Sequence, residues 1–172
     1  LPDLLSEVPA NGVFFMEMSR WLLWRASFFL FVMGFWKRMT VGVRAALVDG
    51  DRVLLIKHSY IPGWHFPGGG IDHGETIEEG MRREVMEETG HRVSGETSIF
   101  QTYLNSLPPR RDHVVFFICR DFEQVEAFKP NHEIVACEWF DRTDLPADTS
   151  KATRARIEEL FGERPRGRTW RD

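Results

Sequence analysis

Apolar and polar positions alternate along Thr40 to Asp49, TVGVRAALVD, with Val41, Val43, Ala45 and Leu47 on one face. The chain then turns at Asp49-Gly50-Asp51 into the apolar run RVLLIKH. Alternation on both sides of a glycine-bearing turn predicts a β-hairpin. His58 to Gly63 reads as a loop, and Trp64-His65-Phe66 leads into Pro67-Gly68-Gly69-Gly70, a stretch that cannot be regular structure. A helix is predicted after these glycines, with glutamates near its positive end and Gly90 closing it. Val93 to Leu104 reads as extended and Ser106 to Asp112, SLPPRRD, as loop. His113 to Cys119, HVVFFIC, reads as a buried strand because it is rich in β-branched and aromatic residues. Glu133 to Phe140 is a further strand. A last helix runs from about Thr149 to Phe161, capped by Thr149 or Ser150, with Ala152, Ala155, Ile157, Leu160 and Phe161 on its apolar side. Strands, helix, strands and helix in that order, with no internal repeat, predict an α+β sandwich.

One segment departs from this pattern. Trp21 to Trp36, WLLWRASFFLFVMGFW, is apolar almost throughout, but Arg25 leaves only 11 uninterrupted residues from Ala26 to Trp36, whereas a spanning helix needs about 20. No small-x-small cleavage site precedes Lys37-Arg38. An apolar helix packed on the domain or in a homodimer interface is expected, with shallow attachment to a membrane surface as the second reading. The chain opens on Leu1, and Met16 and Met18 are candidate starts.

The helix predicted before Gly90 changes the picture from fold to chemistry. Glu84, Glu87 and Glu88 stand at i, i+3 and i+4, so their carboxylates project from one helical face. Two carboxylates about 4 Å apart repel by about 4 kcal/mol at an effective dielectric near 20, and a divalent cation relieves that directly. Oxygen-only ligands favour magnesium or manganese over zinc. A solvated acidic face is the ordinary reading of three glutamates, and the glycine loop beside them is what argues against it.

Written as a spacing, the segment is Gly69-x5-Glu75-x7-Arg83-Glu84-Val85-Met86-Glu87-Glu88-Thr89-Gly90, which resembles the signature of the Nudix hydrolase family. It departs only at His91, where the family prefers an aliphatic residue, and this touches packing more than chemistry. The resemblance covers 23 of 172 residues and fixes many positions at set distances. It implies an α/β/α sandwich around a mixed β-sheet and Mg2+- or Mn2+-dependent hydrolysis of a nucleoside diphosphate linked to another moiety. It also implies that Glu84 and Glu88 are metal ligands, that Glu87 assists or activates water, and that the Gly68 carbonyl completes the coordination. Gly69, Glu75, Arg83 and Gly90 are structural in this motif. In MutT-type members an acidic residue lies six positions before a tryptophan, the relation of Glu133 to Trp139, so Glu133 is the candidate general base and Glu138 its substitute. The domain is placed at 39–162, after an N-terminal extension 1–38 and before a basic, solvated tail 163–172.

Around this core several side chains are candidates for contacting substrate. Tyr60, Trp64 and Phe66 precede the glycine loop, where one ring could stack on a base while the others join the core. His65 and His73 flank the loop, and Arg44, Arg110 and Arg111 could reach phosphates. Arg82 is expected to face solvent. A net charge of −4 argues against stable nucleic-acid binding, and Cys119 and Cys137 in apolar runs suit buried thiols in a reducing cytoplasm. Two alternatives accompany the hydrolase reading: a catalytically idle module that binds a nucleotide derivative for regulation, and a membrane-peripheral protein using Trp21 to Trp36. The substrate itself is not legible, since Pro108 and Pro109 fall late, and Tyr103 early, for the family's known downstream markers.

Overall fold

The computed structural model describes residues 40–107 and 110–171. The apolar segment Trp21 to Trp36, with the helix expected there, lies outside the described residues, as do Pro108 and Pro109. In chain order the elements are β1 Val41–Asp49, β2 Arg52–His58, β3 Trp64–His65, α1 Ile77–Thr89, β4 His91–Val93, β5 Ser98–Leu107, β6 Arg110–Cys119, β7 Phe122–Gln124, β8 Ile134–Asp141 and α2 Lys151–Leu160. Six strands form a mixed sheet in the order β3-β2-β1-β6-β5, with β8 on β2, while β4 and β7 pair separately. β1 runs parallel to β6 from Val41 opposite His113 to Leu47 opposite Cys119.

Alternation in β1 feeds two cores. Val43, Ala45 and Leu47 join Leu54 of β2 and Met81 and Val85 of α1 on one face. Ala46 and Val48 join Val53, Leu55, Phe116 and Ile157 of α2 on the other. A strand buried on both faces with a helix over each is the expected α/β/α sandwich. The α1 start is fixed by a capping box, in which the Thr76 side chain accepts from Glu79 N and Glu79 returns a bond to Thr76 N. Its end is fixed by Gly90 at φ 71°, where a Cβ would come within 2.4 Å of Glu126 O. His91 is buried, with its ring edge-on to Phe122 and Trp139 at 5.9 and 6.1 Å. Both cysteines are unpaired.

Four expectations are corrected. The loop SLPPRRD is instead the end of a long hairpin, with Leu107 opposite Arg110. The extended run from Val93 is broken, because Ser94 N bonds to Asp121 O and carries the chain off the sheet before β5 begins. Arg82, expected in solvent, donates to Gly95 O at 2.9 Å and to Glu78, and so ties α1 to that break. The basic tail is docked: Leu104 N donates to Arg168 O and Trp170 N to Leu104 O, at 3.0 and 2.9 Å. Beneath it, buried Arg156 pairs with Glu159 at 2.7 Å, and Glu159 also accepts from Tyr103 Oη at 2.6 Å and Gly167 N at 2.7 Å. These bonds satisfy a carboxylate that burial would otherwise penalise.

The Trp170 ring meets Tyr103 and Phe116 edge-on, each at 5.5 Å. Trp170→Ala is therefore expected to cost about 2 kcal/mol, less than a fully buried tryptophan because this ring is half-buried. Urea unfolding monitored by circular dichroism checks it, and an unchanged midpoint would show that the tail contributes nothing to stability.

Candidate active site

The site begins where two strands part. β1 and β2 are paired only beside their turn, at Val48 with Val53 and Asp49 with Arg52. Further along, β1 donates instead to the glycine loop, from Ala45 N to Pro67 O and from Val43 N to Gly69 O, both at 2.9 Å. The loop thus sits against β1 like a short strand. Gly68, at φ 135°, is the residue that permits it, because a Cβ there would lie 2.2 Å from Val43 O. Gly69 faces α1, and a Cβ on it would come within 2.6 Å of the Glu84 carboxylate.

With Met81 and Val85 buried against the sheet, the spacing of α1 turns Glu84 and Glu88 toward this loop. Glu88 is 8% exposed and accepts from Gly68 N at 2.6 Å. The Glu84 side chain is 15% exposed and that of Glu87 61%. Arg83 holds the group together. Its guanidinium grips Glu75 through two bonds at 2.7 and 3.1 Å, reaches Glu84 at 2.9 Å and Glu87 at 3.3 Å, and donates to Gly70 O at 3.1 Å. Glu75 and Arg83 therefore fasten the loop to the helix.

Arg44, on β1, donates to the carbonyl oxygens of Phe66 and Gly68. The Gly68 oxygen expected to serve a metal thus already accepts one bond, and its second lone pair remains for another donor. Desolvation lowers the Arg44 pKa, opposed by the charges of Glu88 and Glu84. Burial raises the carboxyl of Glu84 above its usual range, with Arg83 acting against it. Burial raises Glu88 further, to about 7, opposed by its bond from Gly68 N and the charge of Arg44.

The remaining candidates divide. Tyr60 is 62% exposed, and its hydroxyl donates to Glu133 at 3.0 Å. Glu133 is close enough to Glu88 to act on it electrostatically. Glu138 sits in mid-strand opposite Leu55. His65 pairs with Pro62 O at 3.0 Å, and burial lowers its pKa. Trp64, expected to contact substrate, is instead core: it is 7% exposed and stands edge-on to Phe140 at 4.7 Å. Phe66 is likewise buried, against Phe116. His73 is exposed. Arg110 and Arg111 belong to β6, but their side chains lie outside the described part of the structure. Sequence reasoning missed His58. It is 6% exposed, neither ring nitrogen has a hydrogen-bond partner among the described residues, and its ring lies 5.2 Å from Tyr60 and 5.9 Å from His65. The only hint was a polar residue ending the apolar run of β2.

The donors gathered here suit a hard divalent cation, since all are carboxylate or carbonyl oxygens. Among the described residues no three acidic, histidine or cysteine side chains converge on one point as arranged. Glu84 and Glu87 lean on Arg83, and Glu88 leans on Gly68 N. A cation held by Glu84 and Glu87 would have to compete with Arg83 for them.

Comparison with known proteins gives the family. The NUDIX domain family model matches residues 37–161, and the chain belongs to the Nudix family. It is 39% identical over 57 residues to a putative 8-oxo-dGTP diphosphatase of Bacillus subtilis, a match covering 32% of this chain and 38% of that one. It is 31% identical over 110 residues to an ADP-ribose pyrophosphatase of Methanocaldococcus jannaschii, covering 59% of this chain and 64% of the relative. The chain thus spans less than two thirds of either relative. Among solved structures, a MutT NUDIX hydrolase from Burkholderia pseudomallei superposes with a TM-score of 0.61 at 27% identity, covering 71% of this chain and 98% of that one. Divalent metal ions are a general requirement of this family.

The raised Glu88 pKa makes stability depend on pH. Between its unfolded value of 4.5 and its folded value of about 7, the folded state binds the proton that the unfolded state has released. Stability of the metal-free protein therefore falls as pH rises through that window and levels above it, by up to about 3 kcal/mol. Glu88→Gln is expected to flatten most of that decline in chelator-treated protein, as read by urea midpoints from pH 4.5 to 8. Parallel curves for the two proteins would remove Glu88 as its source.

Proposed function

We propose that the protein is a divalent-metal-dependent pyrophosphohydrolase acting on a nucleoside diphosphate linked to another moiety. The observation that carries this is the placement of Glu84 and Glu88. Both are desolvated carboxylates with raised pKa values, and Glu84 lies against a glycine loop that comes so close only because Gly69 has no side chain. Two desolvated carboxylates on one helix face are an electrostatic deficit that a cation offsets.

In this reading Glu84, Glu87, Glu88 and the Gly68 carbonyl hold Mg2+ or Mn2+, which when bound supplies positive charge to the phosphate oxygens and lowers the pKa of water. Arg83 keeps the carboxylates oriented through its bonds to Glu75 and Gly70. Arg44 directs positive charge at the loop from below and, with Arg111, orients phosphate oxygens. Glu133 is the acceptor of the water's proton, since carboxylates crowded by a cation are poor bases. Tyr60 Oη donates to Glu133 at 3.0 Å and the Glu133 charge acts on Glu88, and both support this reading. Tyr60 and His65 border the substrate's path. The unpaired cysteines suit a reducing compartment, and the cytoplasm is the expected location.

The test is a panel of nucleoside triphosphates, nucleotide sugars, ADP-ribose and dinucleotides with magnesium or manganese, with products identified by mass. Turnover that stops on chelation is expected, and Glu88→Gln is expected to lower kcat by at least about a hundredfold with the fold retained by circular dichroism. Parent-rate turnover by Glu88→Gln would break the ligand assignment. Metal-dependent binding without turnover of any panel member would favour the catalytically idle module. For Glu133→Gln, a large fall in kcat with unchanged metal affinity is expected, and an unaltered rate would return Glu133 to the surface.

A further inference from the structure

Beside the glycine loop lies a cleft of about 310 Å³ at the starts of β1 and β6 and the end of β5. That volume sits at the lower end of the range for small-molecule sites, about 300–1,000 Å³. Gly69 and Gly70 line it together with Arg44, so it opens directly onto the loop that faces Glu84 and Glu88. Its floor carries no side chains where Gly42 and Gly70 bridge. Beside Gly70 the position of a Cβ is open space, with nothing within 4 Å. A flat ring can therefore lie against backbone there.

Val41, Val43 and Val114 give the cleft an apolar part, and the rest of the wall is polar. Asn105 and Asp112 are directly opposite each other across β5 and β6. The Thr40 hydroxyl donates to Asp112 Oδ1, which leaves the other carboxylate oxygen as an acceptor. Asn105 Oδ1 accepts from Arg171 Nε at 3.3 Å, which turns its amide nitrogen into the remaining donor. His113 Nδ1 is buried with no partner among the described residues. The Asp112 carboxylate repels phosphate, which leaves phosphate to the end of the cleft lined by Arg44 and Gly69. The polar wall offers an acceptor beside a donor, the complement of a base edge in which an amine stands next to a ring nitrogen.

We infer that this cleft, bounded by Asn105, Asp112 and His113, binds the nucleobase of the substrate and selects a base bearing an exocyclic amine. The inference rests on the hydrolase reading above for its occupant. Asp112 takes the amine proton, and the Asn105 amide donates to the adjacent ring nitrogen. A base with a carbonyl in place of the amine sets that oxygen against the carboxylate and leaves it unpaired, the kind of mismatch that discriminates strongly.

ADP and IDP differ in this one group, and calorimetric titration of each into the full chain with magnesium reads the selection without needing turnover. The wild-type protein is expected to bind ADP at least about tenfold more tightly than IDP. Asp112→Asn is expected to bring the two within about twofold. Gly70→Val, whose Cβ has no atom within 4 Å, should weaken both by about tenfold or more while far-ultraviolet circular dichroism stays unchanged. Equal affinity for ADP and IDP in the wild type would overturn the inference, as would an unchanged ratio in Asp112→Asn or unaltered binding by Gly70→Val. The two readings fail separately. Metal-dependent hydrolysis with no preference between the bases would sink the cleft assignment alone, and selective binding that collapses in Asp112→Asn without hydrolysis of any diphosphate would sink the hydrolase reading alone.

Discussion

The parting of β1 from β2 is the constraint on which the rest depends. Had the two strands stayed paired along their length, the backbone donors of Val43 and Ala45 would be spent on β2. Instead they hold Gly69 O and Pro67 O, and an irregular loop acquires the rigidity of a sheet strand without the bulk of side chains. Unpaired backbone donors in a buried strand are costly, so the loop is bound to β1 as firmly as a strand would be. Everything that approaches it, including Arg44 from below and Glu84 and Glu88 from α1, meets a fixed backbone.

Arg83 is the counterpart on the helix side. A cluster of glutamates would push α1 away from the loop. One guanidinium shared among Glu75, Glu84 and Glu87 and bonded to Gly70 O converts that repulsion into attachment. The division of labour follows from exposure. Glu87 stays solvated and adaptable, whereas Glu84 and Glu88 are drawn into poorer solvent, where an ion is worth more.

Much of this was legible in the sequence, and the limits have physical causes. The long strands were visible through alternation in β1 and the apolar runs of β2, β6 and β8, and α1 through its glycine boundaries and fixed spacings. Two- and three-residue strands such as β3 and β7 carry no period to detect. The SLPPRRD segment is composed like a loop, but cross-strand pairing to Leu107 overrides composition. Trp64 and Tyr60 look alike as candidates in the sequence. Only the packing of Phe140 against the first separates a core ring from an exposed one. The cleft beside Gly70 joins residues from β1, β5 and β6 that are remote in sequence, and His58 is noticeable only once its lack of partners can be seen.

The docked C-terminal segment has a consequence for how the molecule behaves in company. Among the described residues β5 is the outermost strand on its side of the main sheet, and an outermost strand with open donors and acceptors is a template for strands of other molecules. Around Leu104 those groups are taken by Arg168 and Trp170 of the same chain. Self-recruitment of the tail thus blunts the border that would otherwise invite stacking between copies, and it uses a charged, proline-bearing stretch that makes a poor next strand for anything else.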